Sequence, residues 1–561
     1  MTRGRGILSM LVLLLAAVLT ACTGLPTSGT VNYGLGAEDA PDSDEVSFLL
    51  PDRPQPGATP EEIVEGFIRA GSGPGLAANW DRAREFLTRE FADGWDPRAG
   101  VTVDLFEDRV YSEPQTGAVT LSLRAVATVD DQGSYAPAEV GARTLAFELL
   151  QRDDGEWRIS AAPDGVVLGR DEFPRVFNRY SLMYFDPTGE YLVPDARWFP
   201  PTNAPARIAD ELVNGAPSSW LAESVDSAFP DAVGLVPAVP VTAGGVAEVD
   251  LSEAALSVDP LTMDRMYTQL LESLKTTGVS SLQLAVGLTP IEAEAVPVRS
   301  TRVGGAPLVR IEEGFGFLTG DELDEIAGLS DMIEQYPVVA VQVAPDRDVA
   351  AVRLTSGAVM RLGADQSFQT LDSRAGLVDP TIDPFGFIWT VPRGAPAAVQ
   401  AHAPDGTIIE VIDAWSGATG IEAMAVSRDG TRMAAIVTTG GTTALWVAGV
   451  VRGPDNALRL GDPVQLGVVE GAGRGLAWLD DGSLGVLSSG GEGAVVLEQV
   501  VGGLPSTTTV AVPMASIAGG TSLSSVRLRA EDGTLYVNRG TSWQPTATGV
   551  LVLATQQGAP Q

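Results

Sequence analysis

Few residues in this chain offer a route to chemistry. It has one Cys, Cys22, and one His, His402. A lone Cys allows no intrachain disulfide and no Cys-based zinc or iron–sulfur site. A lone His rules out HExxH zincins and His-rich metal sites. Lys275 follows Leu274, so no GxxxxGK phosphate loop forms around it, and no Ser sits in a GxSxG nucleophile elbow. Carboxylates are what the chain has in quantity: 72 Asp plus Glu stand against 36 Lys plus Arg, for a formal charge of −36. Two such groups suffice for glycoside hydrolysis, and Asp346 with Asp429 is one candidate pair. The same excess repels phosphate backbones and excludes nucleic-acid binding. No cofactor or metal site is expected.

Cys22 is the residue whose context points to a definite reaction. Arg3 and Arg5 precede an apolar run over 7–19, followed by Leu19-Thr20-Ala21-Cys22. A cationic start, a short apolar stretch and small residues before a cut make a signal peptide over 1–21, too short to span a bilayer. The pattern resembles the lipobox of bacterial lipoproteins. That resemblance implies cleavage between Ala21 and Cys22, with S-diacylglycerol and an N-acyl chain such as palmitate on Cys22. More than one acyl chain, at about 0.8 kcal/mol per buried CH₂, gives stable anchoring. The expected location is the cell membrane, lipid-anchored on its extracytoplasmic face, since no later segment is apolar enough to cross.

A length of 561 residues predicts about three or four domains. Residues 22–58, rich in Pro, Gly, Asp and Ser, read as an acidic tether. An α+β domain follows over 59–169. Thr59-Pro60-Glu61-Glu62 is a capping box opening a helix whose Ile63, Val64, Phe67 and Ile68 share a face, and Gly71 stops it. Ala83, Leu87 and Phe91, four apart, predict a second helix. Strands are expected over 101–111, 117–129, 142–151 and 156–168, with clean alternation at Val119-Leu121-Leu123 and Leu145-Phe147-Leu149. Paired helices and a meander resemble the cone-shaped NTF2-like fold. The His and Asp pair used by dehydratase relatives cannot be assembled here, so a packing or docking module is expected.

A second α+β domain is expected over 180–290. It has a strand over 182–185, a turn at Asp186-Pro187-Thr188-Gly189, and a helix opened by Pro205 and closed by Gly215. Strands over 236–241 and 246–251 flank Gly244-Gly245. Asp259-Pro260 caps a helix with Met263, Met266, Leu270 and Leu274 in a stripe, Lys275 in its last turn and Gly278 after it. A strand over 281–286 closes the unit. These segments, with Ala228-Phe229-Pro230 and the AxVDLS-like 247–252, resemble a GerMN domain, which carries no consensus catalytic set.

From about 304 to 555 the chain repeats an Asp-Gly turn between strands. Ser427-Arg428-Asp429-Gly430 is the clearest copy, and weaker ones occur at Asp346, Asp383, Asp480-Asp481-Gly482 and Asp532-Gly533. The glycines at 386, 430, 482 and 533 lie about 44–52 residues apart, the period of β-propeller blades, for about five or six blades. The fold class is therefore multidomain: two α+β domains followed by an all-β propeller. Recurrence at one blade position is what a turn requires, so Asp346 and Asp429 read as turn residues before catalysts. His402, beside Pro404-Asp405-Gly406, reads as a loop or edge residue.

This order, together with Cys22-Thr23-Gly24-Leu25-Pro26-Thr27-Ser28-Gly29, resembles the LpqB-type lipoproteins of actinobacteria. The resemblance implies a non-catalytic accessory role in a two-component system. The partner would be the extracytoplasmic sensor domain of an MtrB-like histidine kinase, with consequences for MtrA phosphorylation, envelope growth and cell division. The alternatives are a scaffold binding peptidoglycan through 180–290 and, further off, an envelope glycoside hydrolase.

Overall fold

The computed structural model describes residues 51–560 apart from 76, 77, 139, 140, 237, 288, 492, 522 and 541. The signal peptide, Ala21, Cys22 and most of the tether fall outside the described residues. The first helix, Pro60–Ala70, forms where the capping box places it. The Thr59 amide donates to the Glu62 carboxylate at 2.8 Å, and the Glu62 amide donates to Thr59 Oγ1 at 3.3 Å. Ile63, Val64, Phe67 and Ile68 are buried against a curved sheet.

The long strand Ala118–Val129 organises that sheet. Ala142–Gln151 and Trp157–Ala161 follow it on one side; Val101–Asp104 and Val166–Gly169 lie on the other. Two expected strands divide in the structure. The 101–111 stretch breaks after Asp104, where the register shifts and Arg109 pairs with the buried Asp104, and Val110–Gln115 pairs with a different part of the long strand. The 156–168 stretch breaks before Val166–Gly169, which runs parallel to Val101–Asp104. The second helix is also corrected to two short pieces, Asp81–Arg84 and Arg89–Gly94. Leu87 bridges to Ile159, the Thr88 amide donates to the Ile159 carbonyl at 2.8 Å, and Thr88 Oγ1 caps the second piece. Ala83 and Leu87 are buried as their spacing requires, but sheet pairing wins over helix continuity between them.

In the second domain, Asn178–Phe185 and Leu192–Phe199 form a hairpin. Asp186 caps its turn, accepting from the Thr188, Glu190 and Tyr191 amides. Val246–Asp250 and Ser281–Val286 run parallel, joined through the helix Pro260–Leu274. Asp259 Oδ1 accepts from the Thr262 amide, and Met263, Met266, Leu270 and Leu274 are core, while Lys275 pairs with Glu272 at 2.6 Å. Among the described residues of 236–241 the expected strand does not form. Isolated bridges, Leu235 to Leu251 and Val241 to Ala247, join that stretch to its neighbour. Pro240 has no N–H to offer a ladder.

The rest of the chain is a β-propeller. Among the described residues, one eight-stranded sheet divides into two blades at Val552–Gln556, and sheets of four, five, four and four strands supply four more. Val552–Gln556 pairs antiparallel with Leu308–Arg310 and parallel with Val338–Val343, so the last strand closes the ring as the innermost strand of the first blade. The other inner strands, Val338–Val343, Thr381–Ile382, Gly420–Val426, Gly473–Trp478 and Met514–Ala518, lie side by side around the channel in chain order. One turn copy is out of place. The turns at Asp346, Asp383, Asp429 and Asp480 follow inner strands, but Asp532-Gly533 joins Arg527–Ala530 to Leu535–Asn538, at the opposite end of its blade. An Asx turn closes either end of a blade equally well, so composition alone does not say which.

Candidate functional site

The recurring aspartates serve their turns. Asp383 Oδ1 accepts from the Phe385 and Phe387 amides, Asp429 Oδ1 from the Thr431 amide, and Asp480 Oδ1 from the Gly482 amide. The two best-buried copies also hold cations: Asp429 pairs with Arg432, both 1% exposed, and Asp383 pairs with Arg452 at 2.6 Å. Burial alone would push the Asp429 carboxyl up. The Arg432 charge and hydrogen bonds from Ser427 and Thr431 outweigh it and hold the group below the usual range. Asp346 is largely exposed, within 3.7 Å of Arg299. The structure therefore gives Asp429 a structural cation and Asp346 a separate one, and does not assemble the pair that hydrolysis would use.

His402 is corrected from a loop or edge position to a buried one, 1% exposed on the strand Gln400–His402. The Thr390 hydroxyl donates to Asp372 at 2.7 Å, so the His402 ring N–H at Nε2, 3.1 Å away, donates to Thr390. Asp372 is held in turn by Arg374 at 2.7 Å. Burial lowers the affinity of His402 for a second proton, with Arg374 and Arg361 adding to it. This is a packed hydrogen-bond chain within one blade.

One face of the propeller is spent on the other two domains. Tyr191 meets Phe385 edge-on at 6.1 Å, and Arg452 lies 4.5 Å over Phe385. Glu223 pairs with Arg459, and Arg299 reaches Asp346. The Trp198 indole N–H donates to the Gly502 carbonyl at 2.8 Å while its ring packs 4.7 Å from Phe173. Leu504 adds to the core of the first domain. These contacts fall on the turns that follow the inner strands and on the turns between third and fourth strands, which share one end of the blades. A cavity of about 870 Å³ remains at this three-way junction, with Arg179, Asp195, Arg432 and Asp481 on its wall.

The channel opens at the opposite end, where the inner strands begin. Three ion pairs stand there: Arg353 with Asp379 at 2.6 Å, Arg393 with Glu422, and Arg474 with Glu531 at 3.3 Å. Arg529 donates through Nε to the Val550 carbonyl at 2.7 Å. Deeper in, Arg428 is 6% exposed and donates to the carbonyls of Gly520 at 2.7 Å and Trp478 at 3.2 Å. The enclosed volume is about 300 Å³. A second pocket of about 290 Å³ lies in the first domain between helix and sheet, lined by Phe67, Trp95, Leu145 and Phe147 with Arg143 at its edge.

Comparison with known proteins agrees with this division. Residues 53–174 match "Lipoprotein LpqB, N-terminal domain", and 308–552 match "Lipoprotein LpqB beta-propeller domain". The chain belongs to the LpqB lipoprotein family. Between those two LpqB segments, 181–291 match "Sporulation and spore germination". Lipoprotein LpqB of Streptomyces avermitilis is 28% identical over 500 residues, covering 78% of each chain. That of Thermobifida fusca is 33% identical over 276 residues, which is 46% of this chain and 43% of the relative. Among solved structures, the first GerMN domain of GerM from Bacillus subtilis is 17% identical, with a TM-score of 0.18, covering 21% of this chain and 90% of that one.

The LpqB resemblance carries no residue-level site in the propeller, and sequence reasoning missed the channel arginines. They lie on five separate segments between 353 and 529, with no shared spacing. The weak signal available was the preference for Arg over Lys: with Lys275 the single Lys, nearly every cation in the chain is a guanidinium. Among the described residues, no helix is long and apolar enough to cross a membrane.

Proposed function

We propose that this LpqB-family chain is a non-catalytic accessory protein, lipid-anchored at Cys22 on the extracytoplasmic face of the membrane. It acts by binding the sensor domain of an MtrB-like histidine kinase. The observation that supports a binding role is the division of the propeller. Its inner-turn end is committed to the two α+β domains, whereas the other end leaves a rim of half-exposed ion pairs for a partner. Surfaces of that polar character are usual at non-obligate interfaces. Such a protein biases a kinase by binding one of its conformations better than the other, and a lipid tether raises its local concentration.

Crosslinking in the native envelope with mass spectrometry, comparing wild type with Cys22→Ala, tests this reading. Capture of a histidine-kinase sensor domain, weakened in the variant, is the expected result. Capture of cell-wall fragments alone would replace it with the scaffold reading.

A further inference from the structure

We infer that the propeller channel is a binding site for a small, extended multivalent anion bearing carboxylate or phosphate groups. The chain as a whole has two acids for every cation, 72 against 36. The channel wall inverts that ratio: Arg353, Arg393, Arg428, Arg474 and Arg529 face only Asp379 and Glu422. Three of these arginines have carboxylate partners at the mouth, Arg474 through Glu531 just outside the lining. The other two do not. Arg428, buried, is held by two backbone carbonyls, and Arg529, half-buried, by one. Burial is the leading influence on both and lowers their proton affinity, with Asp481 and Asp480 opposing it at Arg428 and Asp532 at Arg529, none of them in direct contact. A guanidinium as buried as that of Arg428, with no carboxylate in direct contact, is an unfavourable arrangement that an anion would relieve.

A second observation points the same way. Gln556, on the closing inner strand, lines the channel with a buried amide nitrogen that has no hydrogen-bond partner. Several buried donors among the described residues lack partners, and Gln556 is the one that lines this channel, where a ligand acceptor would satisfy it. Shape narrows the class further. Inner strands of about five residues span roughly 17 Å, so about 300 Å³ distributed along them suits a narrow, elongated ligand. Guanidinium forks match carboxylate and phosphate oxygens in pairs. The anion would enter past Arg353, Arg393, Arg474 and Arg529 and reach inward to Gln556 and Arg428.

Isothermal titration calorimetry on the full chain in detergent, with citrate and tripolyphosphate as probes and glycerol as the neutral control, tests the site. No partner protein is present, so the result is separate from the kinase reading. We expect saturable binding of at least one anion, weakening as ionic strength rises, and none of glycerol. Arg529→Gln should weaken it by about tenfold, and Gln556→Glu should abolish it, with thermal melts confirming that both variants fold. Arg143→Gln, in the first-domain pocket, should leave it unchanged. Citrate alone binding would assign carboxylate chemistry and tripolyphosphate alone phosphate chemistry; either supports the site. It is overturned if neither anion saturates below about 10 mM, a free energy weaker than about 3 kcal/mol, or if Arg529→Gln and Gln556→Glu bind as wild type does.

Discussion

The two ends of the propeller use the same residue types to different ends. At the docked end, Asp429 with Arg432 and Asp383 with Arg452 are buried, and each aspartate also caps its own turn. At the open end, the pairs of Arg353, Arg393 and Arg474 are half-exposed and make no turn. Exposed pairs contribute little to stability, whereas breaking a buried pair strands a charge. The docked end is therefore organised for rigidity. The charges at the open end have to be explained by what they meet.

Breaking the buried pair is the most severe test of that contrast. Asp429→Ala leaves Arg432 buried without its counter-ion and should lower stability by about 3–5 kcal/mol in urea denaturation. A loss no larger than that of a rim pair would erase the contrast.

A second buried acid sharpens it, because its cations do not win. Burial raises Glu211 to about 7, with Arg207 and Arg197 opposing. A carboxyl raised above its unfolded value contributes stability that is complete below about 4.5 and lost as pH rises through about 7. Thermal melts should therefore fall over that window with a slope of at most about 1.4 kcal/mol per pH unit, and Glu211→Gln should flatten it.

Smaller effects are expected at the domain junction and at the rim. Trp198→Phe removes the N–H donated to Gly502 and should cost about 1 kcal/mol, read as faster hydrogen exchange over 500–505. Glu531→Gln, releasing the exposed Arg474, should change stability by no more than about 1 kcal/mol by the same urea measurement. A larger loss there would mean that the open end is also built for rigidity.

Much of the local structure was legible because its cause is local. The Thr59 and Asp259 caps act on amides within three residues, and the Val119-Leu121-Leu123 alternation and the Met263–Leu274 stripe follow the period of their own element. Errors came where a distant strand competed. Ile159 split the helix expected through Leu87, and the long strand Ala118–Val129 recruited two partners from what read as one stretch. His402 read as a loop residue beside a Pro-Asp-Gly turn, yet its burial depends on Thr390 and Asp372.

From its own residues the sequence determined the module order, the helix caps, the Asp-Gly turns and the shortage of catalytic groups, and its resemblance to LpqB-type lipoproteins named the family. Long-range strand pairing set how the ring closes, because the strand that completes the first blade comes from the other end of the propeller, at Val552–Gln556. It also decided which arginines share a channel. Those residues come from separate blades, and no periodicity along a chain records which strands a closed ring turns toward its axis.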